Sequence, residues 1–362
     1  MSQDTAQNAE HNLFRPAIAT LQGYTPGEWP KPNSSVLKLN SNENAYPPSP
    51  KVLAALCDFN EELLRRYPDP RSEDFCQIVS QTLNIPADWI VAGNGSDDIL
   101  TLLVRACAEQ GRTIAYPAPT YVLYRTLAAM QPAETIEIPY KIEGDSWQLP
   151  IEQLLRADAA ITFIASPNSP SGHVVPKVDL RTLAKGLSGV LVIDEAYVDF
   201  SPENALDLVC EFERVMVLRT LSKGYSLAGL RLGFGCAQPA LLEGLKKVKD
   251  SYNVDAIALH LGAAAILDQN YKKKTAAKIG ENREQLAIAL REIGFGVGRS
   301  QTNFLLVTPP TDANTLYQEL KKRDILVRYF NEPGLDDKLR ITVGTPEQNQ
   351  RLVGAIAELL SS

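Results

Sequence analysis

Short apolar runs alternate with longer stretches of helical periodicity through the middle of the chain. The runs lie at Trp89–Ala92, Thr113–Tyr116, Thr135–Ile138, Ala160–Ala165, Val190–Ile193, Val215–Leu218 and Leu230–Gly235. Runs of strand length bounded by turn residues and separated by helices predict a mainly parallel, seven-stranded sheet with helices on its faces, an α/β architecture. The clearest of the helices runs from Ser96 toward Glu109. It puts Ile99, Leu102, Leu103, Ala106 and Cys107 on one face, with Ser96 as its N-cap. Val36–Asn40 alternates as a short strand does, after a proline-rich stretch. The apolar segment Ala256–Asp268 and a charged helix over Tyr271–Ile293 lead out of this body. Strand patterns at Asn303–Val307, Ile325–Tyr329 and Lys338–Val343 then predict a smaller α+β domain. The division expected is an arm over 1–35, a segment over 36–48 that partly joins the small domain, a large domain over 49–260 and a small one over 261–362.

A chain of 362 residues has room for two cores, because single cores stop growing at roughly 250–300 residues. Hydrophobic residues at 44% and charged residues at 22% are a globular balance. A net charge of -7 and a pI near 5.2 exclude nucleic acid as the expected partner and favour small molecules. The basic run Lys272–Lys274 with Lys278 reads as a solvated helix face. Five cysteines, odd in number and never spaced C-x-x-C, suit a reducing compartment. The polar stretch from Met1 to about Glu10 lacks a secretory pattern, and no apolar stretch is long enough to span a membrane, so a soluble, cytoplasmic protein is expected.

The chemistry gathers around Thr220–Arg231, between two apolar strands. A lone lysine is usually a solvated charge, but Lys223 sits beside Ser222 and Arg231, a hydroxyl and a guanidinium suited to one phosphate. Gly224 and Gly229 would let the backbone turn closely around that phosphate. A lysine next to a phosphate cluster is what a pyridoxal 5'-phosphate enzyme requires, because the amine holds the cofactor covalently and later moves a proton. The cofactor also needs a carboxylate at its ring nitrogen. Asp194 ends the buried run Gly189–Ile193, where open α/β sheets place ligand groups, although an Asp there is as often a turn cap. Tyr197 either reaches the ring oxygen or packs as an ordinary aromatic, and Asn168 in Ser166–Gly172 offers that oxygen an amide. Gly93–Asp98 feeds a helix N-terminus, an anion site in which Ser96 and backbone N–H groups bind while Asp97 and Asp98 point away. Metal chemistry is not expected, since His11, His173 and His260 are widely separated. A serine hydrolase would need a G-x-S-x-G elbow.

Taken in order, these segments resemble the fold-type I, class-II aminotransferases, and most closely the histidinol-phosphate aminotransferase family, over nearly the whole chain. The motifs are L-N-S-N-E-N at 39–44, R-Y-P-D-P at 66–70, G-N-G-S-D-D at 93–98, P-T-Y at 119–121, S-P-N-S-P-S-G at 166–172, V-I-D-E-A-Y at 192–197 and T-L-S-K-G-Y-S-L-A-G-L-R-L-G-F at 220–234. The resemblance implies that Lys223 anchors pyridoxal phosphate, Tyr121 stacks on its ring, Asn168 and Tyr197 hold the ring oxygen and Asp194 the nitrogen. Ser96, Asp97 through its backbone, Ser222 and Arg231 would hold the phosphate, joined by Tyr67 from the partner subunit of a homodimer with shared active sites. Tyr24, Asn44, Arg328 and Arg340 would bind the substrate. Two departures bear on specificity. The family's N-P-N-N-P-T-G is S-P-N-S-P-S-G here, and its proline and glycine after N-E-N are replaced by Ala45-Tyr46-Pro47-Pro48. The reaction implied is amino transfer between L-histidinol phosphate and 2-oxoglutarate in histidine biosynthesis. Aromatic amino acid transamination and phosphothreonine decarboxylation on the same scaffold are the alternatives, as is a non-catalytic regulatory module.

Overall fold

The computed structural model describes residues 13–19, 21, 28–31, 35–131, 133–144 and 146–361; Tyr24, His11 and most of the arm lie outside them. Its strands, in chain order, are β1 (Leu37–Lys38), β2 (Ile90–Gly93), β3 (Thr113–Ala118), β4 (Glu134–Pro139), β5 (Lys141–Glu143), β6 (Ser146–Gln148), β7 (Ile161–Ala165) and β8 (Val190–Asp194). Then come β9 (Val215–Thr220), β10 (Gly233–Cys236), β11 (Gly296–Val297), β12 (Phe304–Thr308), β13 (Ile325–Leu326), β14 (Arg328–Tyr329) and β15 (Leu339–Thr342). A seven-stranded sheet runs β2-β10-β9-β8-β7-β3-β4. It is parallel from β4 through β9, while β10 is antiparallel to both of its neighbours. Each of the seven apolar runs supplies one of these strands. β7 is buried at every position because helices cover both faces, which is why it reads as continuous apolar sequence rather than an alternation.

The last run starts later than its hydrophobicity suggests. Ala228–Leu230 form a 3-10 turn, and Arg231 has a left-handed φ of 50°, so the strand begins only at Gly233. The helix Ser96–Cys107 buries Ile99, Leu100, Leu102, Leu103 and Val104, whereas Ala106 is exposed. Its N-cap is Gly95, not Ser96. Gly95 takes a φ of +82°, which an L side chain resists, so the chain completes its turn one residue early and Ser96 becomes the first helical residue.

A second, four-stranded antiparallel sheet, β11-β12-β15-β14, packs with helices Gln269–Glu292, Ala313–Lys322 and Pro346–Leu360 around a separate apolar cluster. The run Ile325–Tyr329 divides there. β13 pairs in parallel with β1, while β14 pairs with β15 and sets Arg328 directly opposite Arg340. On the long helix Lys273, Lys274 and Lys278 are exposed, but Lys272 is not a solvated charge. It shares the inward face with Thr275 and Ile279, three and seven residues on, and forms an ion pair of 2.7 Å with Asp199.

Candidate functional site

A cavity of about 250 Å³ opens at the carboxyl ends of β7, β8 and β9, lined at those ends by Ala165, Asp194 and Thr220. The backbone leaves the sheet there and turns, so side chains from several loops converge. Lys223 enters from the loop after β9. Its Nζ donates to the Ser41 carbonyl at 3.3 Å and lies 5.6 Å from the centre of the Tyr197 ring.

One end of the cavity collects anion-binding groups. Ser96 and Asp97 open a helix that has no side-chain cap, Ser222 lies alongside, and Arg231 Nη1 donates to Ser222 Oγ at 3.1 Å. A β-carbon on Gly95 would lie 2.7 Å from Arg231 Nη2, and one on Gly233 would lie 2.5 Å from the Ser96 nitrogen. Both glycines therefore let the guanidinium, the strand and the helix start close on one point. Gly224 and Gly229 do not serve that purpose. Gly229 faces open space, and the position a β-carbon on Gly224 would take is filled by the Asp199 carboxylate. Asp98 turns away to accept from the Asn94 backbone and from Asn253 Nδ2. Asp97 stays at the cavity, 3.6 Å from Arg231 and accepting from the Tyr121 hydroxyl, because the guanidinium charge holds it there.

Asp194 forms the opposite wall. Burial pushes its carboxyl up to about 6, against the pull of hydrogen bonds from the Tyr124 hydroxyl at 2.8 Å and the Ala196 backbone at 3.1 Å. A carboxylate held this way is poised for a cationic N–H partner. Tyr121 and Tyr197 supply aromatic surface. The Tyr197 hydroxyl accepts from Asn42 Nδ2 at 2.8 Å, which leaves its own proton to donate.

Asn168, Asn44 and Tyr67, all in the expected set, fall elsewhere. Asn168 is fully buried, and its amide is committed to the protein. It accepts from Thr120 and donates to the Pro119 carbonyl and Ser171, so the side chain joins the 119–121 and 166–172 loops instead of facing the cavity. Ser169, one residue on, lines the cavity and accepts from Arg340 Nη1 at 3.1 Å. Asn44 donates to the Lys223 carbonyl at 2.9 Å and accepts from the Tyr46 backbone, so it braces the lysine loop. Arg340 also donates to the Asn40 carbonyl and lies over Phe304 and Phe330, and Arg328 shares the Phe330 ring. Tyr67 stands 81% exposed, stacked on Tyr252 away from the cavity, and Tyr24 is outside the described residues. His173 packs against Tyr140 and Trp147, with burial lowering its pKa to about 4, and His260 packs edge-on to Phe59.

Ser41, Asn42 and Ser169 reach or brace the site from within the quoted motifs without having been singled out, and Tyr124 does so from outside them. Tyr124 carries a weak signal, since it lies three residues after Tyr121 and so one helical turn away. The donor set fits pyridoxal 5'-phosphate: phosphate ligands at one end, a lysine amine between, and a buried carboxylate with an elevated pKa opposite. Among the described residues no helix is long and apolar enough to cross a membrane.

Residues 34–356 match the family model for aminotransferase class I and II. The histidinol-phosphate aminotransferase 1 of Trichormus variabilis is 58% identical over 96% of this chain and 99% of its own length. The histidinol-phosphate aminotransferase of Rhodopirellula baltica is 43% identical over 92% of each chain. Among solved structures, the histidinol-phosphate aminotransferase of Sinorhizobium meliloti, in complex with pyridoxal-5'-phosphate, superposes with a TM-score of 0.88. That match covers 97% of this chain and 98% of that one at 24% identity, a likeness of fold.

Proposed function

The chain belongs to the class I and II aminotransferases, and from that premise we propose that it interconverts L-histidinol phosphate and 2-oxoglutarate with imidazole acetol phosphate and L-glutamate. Pyridoxal 5'-phosphate is its cofactor, and when bound it supplies an electron sink for the pair left as the substrate's α-C–H bond breaks. Lys223 would hold the cofactor covalently, and its ε-amine would take and return the proton at the substrate's α-carbon. Asp194, braced by Tyr124, keeps the ring nitrogen protonated. Ser96, the Asp97 backbone, Ser222 and Arg231 hold the phosphate, Tyr121 supplies a stacking face, and Tyr197 donates to the ring oxygen. Asn168 and Asn44 act from behind this layer, as braces of its loops.

The observation that carries the choice of substrate is the register of β14 and β15, which sets Arg328 opposite Arg340. Two guanidinium groups side by side on neighbouring strands concentrate positive charge at one place, which favours an anionic group of the substrate. A guanidinium pair suits phosphate and carboxylate alike, which supports a phosphorylated amine as one substrate and a dicarboxylic oxo acid as the other. Identity of 58% over nearly full length to a histidinol-phosphate aminotransferase supports the same reading. We further assign a homodimer in the cytoplasm. Leu53, Leu56, Leu63, Leu64 and Tyr67 expose apolar surface within one stretch of chain that a second copy would cover, bringing Tyr67 to its partner's phosphate. All five cysteines are unpaired, as a reducing compartment requires.

The test is a half-reaction titration of the cofactor-loaded protein, with L-histidinol phosphate and L-phenylalanine added separately while the visible cofactor band is followed and Lys223→Ala as control. Loss of the band at far lower concentration of histidinol phosphate supports the proposal. The reverse preference makes the protein an aromatic aminotransferase, and no band in the wild type overturns the reading altogether.

A further inference from the structure

The loop that carries Lys223 is held from outside the cavity by a buried charge pair. Asp199 lies in the 3-10 turn Val198–Phe200, immediately after Tyr197, and Lys272 lies on the first turn of the helix Gln269–Glu292. Their contact is 2.7 Å, and the two side chains are only 9% and 16% exposed. The Asp199 carboxylate fills the space a β-carbon on Gly224 would need, and Gly224 does not have a positive φ. The residue after the cofactor lysine is thus a glycine to admit this carboxylate, not to turn the chain. Lys272 Nζ also sits 5.0 Å over the Tyr225 ring, and Gln269, on the same helix turn, donates to the Tyr225 hydroxyl at 3.1 Å. Further along, Asn282 donates to the Gly344 carbonyl and to the Tyr46 hydroxyl, just beyond the strand that bears Arg340.

We propose that Asp199 and Lys272 are positioning residues, which clamp Gly224 and Tyr225 to the long helix and so set where Lys223 presents its amine. The inference rests on the reading of Lys223 as the cofactor lysine. Physically, Lys223 leads into a segment pressed between a carboxylate and an ammonium that have little water to relax into. Burial opposes the charge on Lys272, but attraction to Asp199 and to the Tyr225 hydroxyl together outweigh it and its pKa rises, so the ammonium keeps its charge. Removing one partner leaves a desolvated charge against the loop, which must then move to reach water. Removing both relieves the charge but leaves Gly224 and Tyr225 without their clamp. Stability and positioning therefore part company between the single and the double variants.

The experiment compares wild type, Lys272→Met, Lys272→Arg and the double variant Asp199→Asn with Lys272→Met, each loaded with pyridoxal phosphate. The readouts are the circular dichroism of the visible cofactor band, kcat and KM for the amino donor, and the melting temperature of the apo form. The double variant should recover most of the melting temperature lost in Lys272→Met. It should nonetheless keep an altered visible dichroism and a kcat lowered about 10- to 100-fold, with KM changed by less than about threefold. Lys272→Arg, which retains the charge, should restore much of the dichroism. A double variant with wild-type dichroism and kcat sinks the proposal, because the pair would then matter only as a matched charge. So does a Lys272→Met protein that melts lower yet keeps its spectrum and kcat. If instead the wild type shows no visible band, it is the reading of Lys223 that fails.

Discussion

Asp194→Asn should stabilise the cofactor-free protein while disabling the enzyme. Burial raises the Asp194 carboxyl from 3.8 to about 6, and a shift of about two units corresponds to roughly 3 kcal/mol of penalty on the ionised form at pH 8. An asparagine removes that charge. It also reverses one hydrogen bond, since the Tyr124 hydroxyl must now accept from the amide rather than donate to a carboxylate, at a cost of about 1 kcal/mol. The net expectation is a gain of roughly 1–2 kcal/mol for the apo variant at pH 8, read by urea or thermal unfolding. The sign with pH follows from linkage. The folded carboxyl binds its proton more tightly than the unfolded one, so the penalty is full above about pH 6, shrinks as pH falls, and is gone below the unfolded value near 3.8. The stability difference between variant and wild type should therefore narrow between pH 8 and pH 5. With Asp194 in its proposed place against the protonated ring nitrogen of the loaded enzyme, loss of the charge should lower kcat at least about a hundredfold, the rate equivalent of some 3 kcal/mol. An apo variant no more stable than wild type at pH 8, or an advantage independent of pH, would refute the account of Asp194 as a desolvated carboxylate.

Two further substitutions probe the surroundings. Gly95→Ala sets a β-carbon 2.7 Å from Arg231 Nη2 at a φ of +82°, and displacing one charge-assisted hydrogen bond should weaken pyridoxal phosphate binding about 10- to 100-fold. Equilibrium titration of the apo protein checks this, and an unchanged dissociation constant would remove Arg231 from the phosphate site. Arg219→Met strands Glu195, whose side chain is 1% exposed and whose carboxyl burial already raises, and should cost about 3–5 kcal/mol at pH 8. Because protonation relieves a stranded carboxylate, the loss should be smaller at pH 5.5; equal losses in urea unfolding at both pH values would argue for packing instead of charge.

Features that depend on neighbours along the chain were legible in the amino-acid sequence. The central strands declare themselves because a strand buried on both faces is mostly apolar, as the runs Ile161–Ala165, Val190–Ile193 and Val215–Leu218 are. Lys223 and Asp194 stand out because each follows such a strand, where side chains leave the sheet together, and the motifs around them carry the family resemblance. Other features depended on residues that meet only in three dimensions. The turn at 166–172 offers Asn168 and Ser169 to the same region, and which one faces the cavity is decided by Thr120 and Pro119, nearly fifty residues away, which take the asparagine amide. Lys272 reads as one of a run of surface lysines until Asp199, 73 residues earlier, meets its inward helix face. Gly224 reads as a turn residue until the same carboxylate occupies its side-chain space. Arg328 and Arg340 are separate strand charges until strand register sets them opposite each other. Periodicity records which side of an element is buried, but not what lies against it; partner identity is a property of the packed chain, and at this site the partners decide which polar groups are spent on the fold and which remain for the ligand.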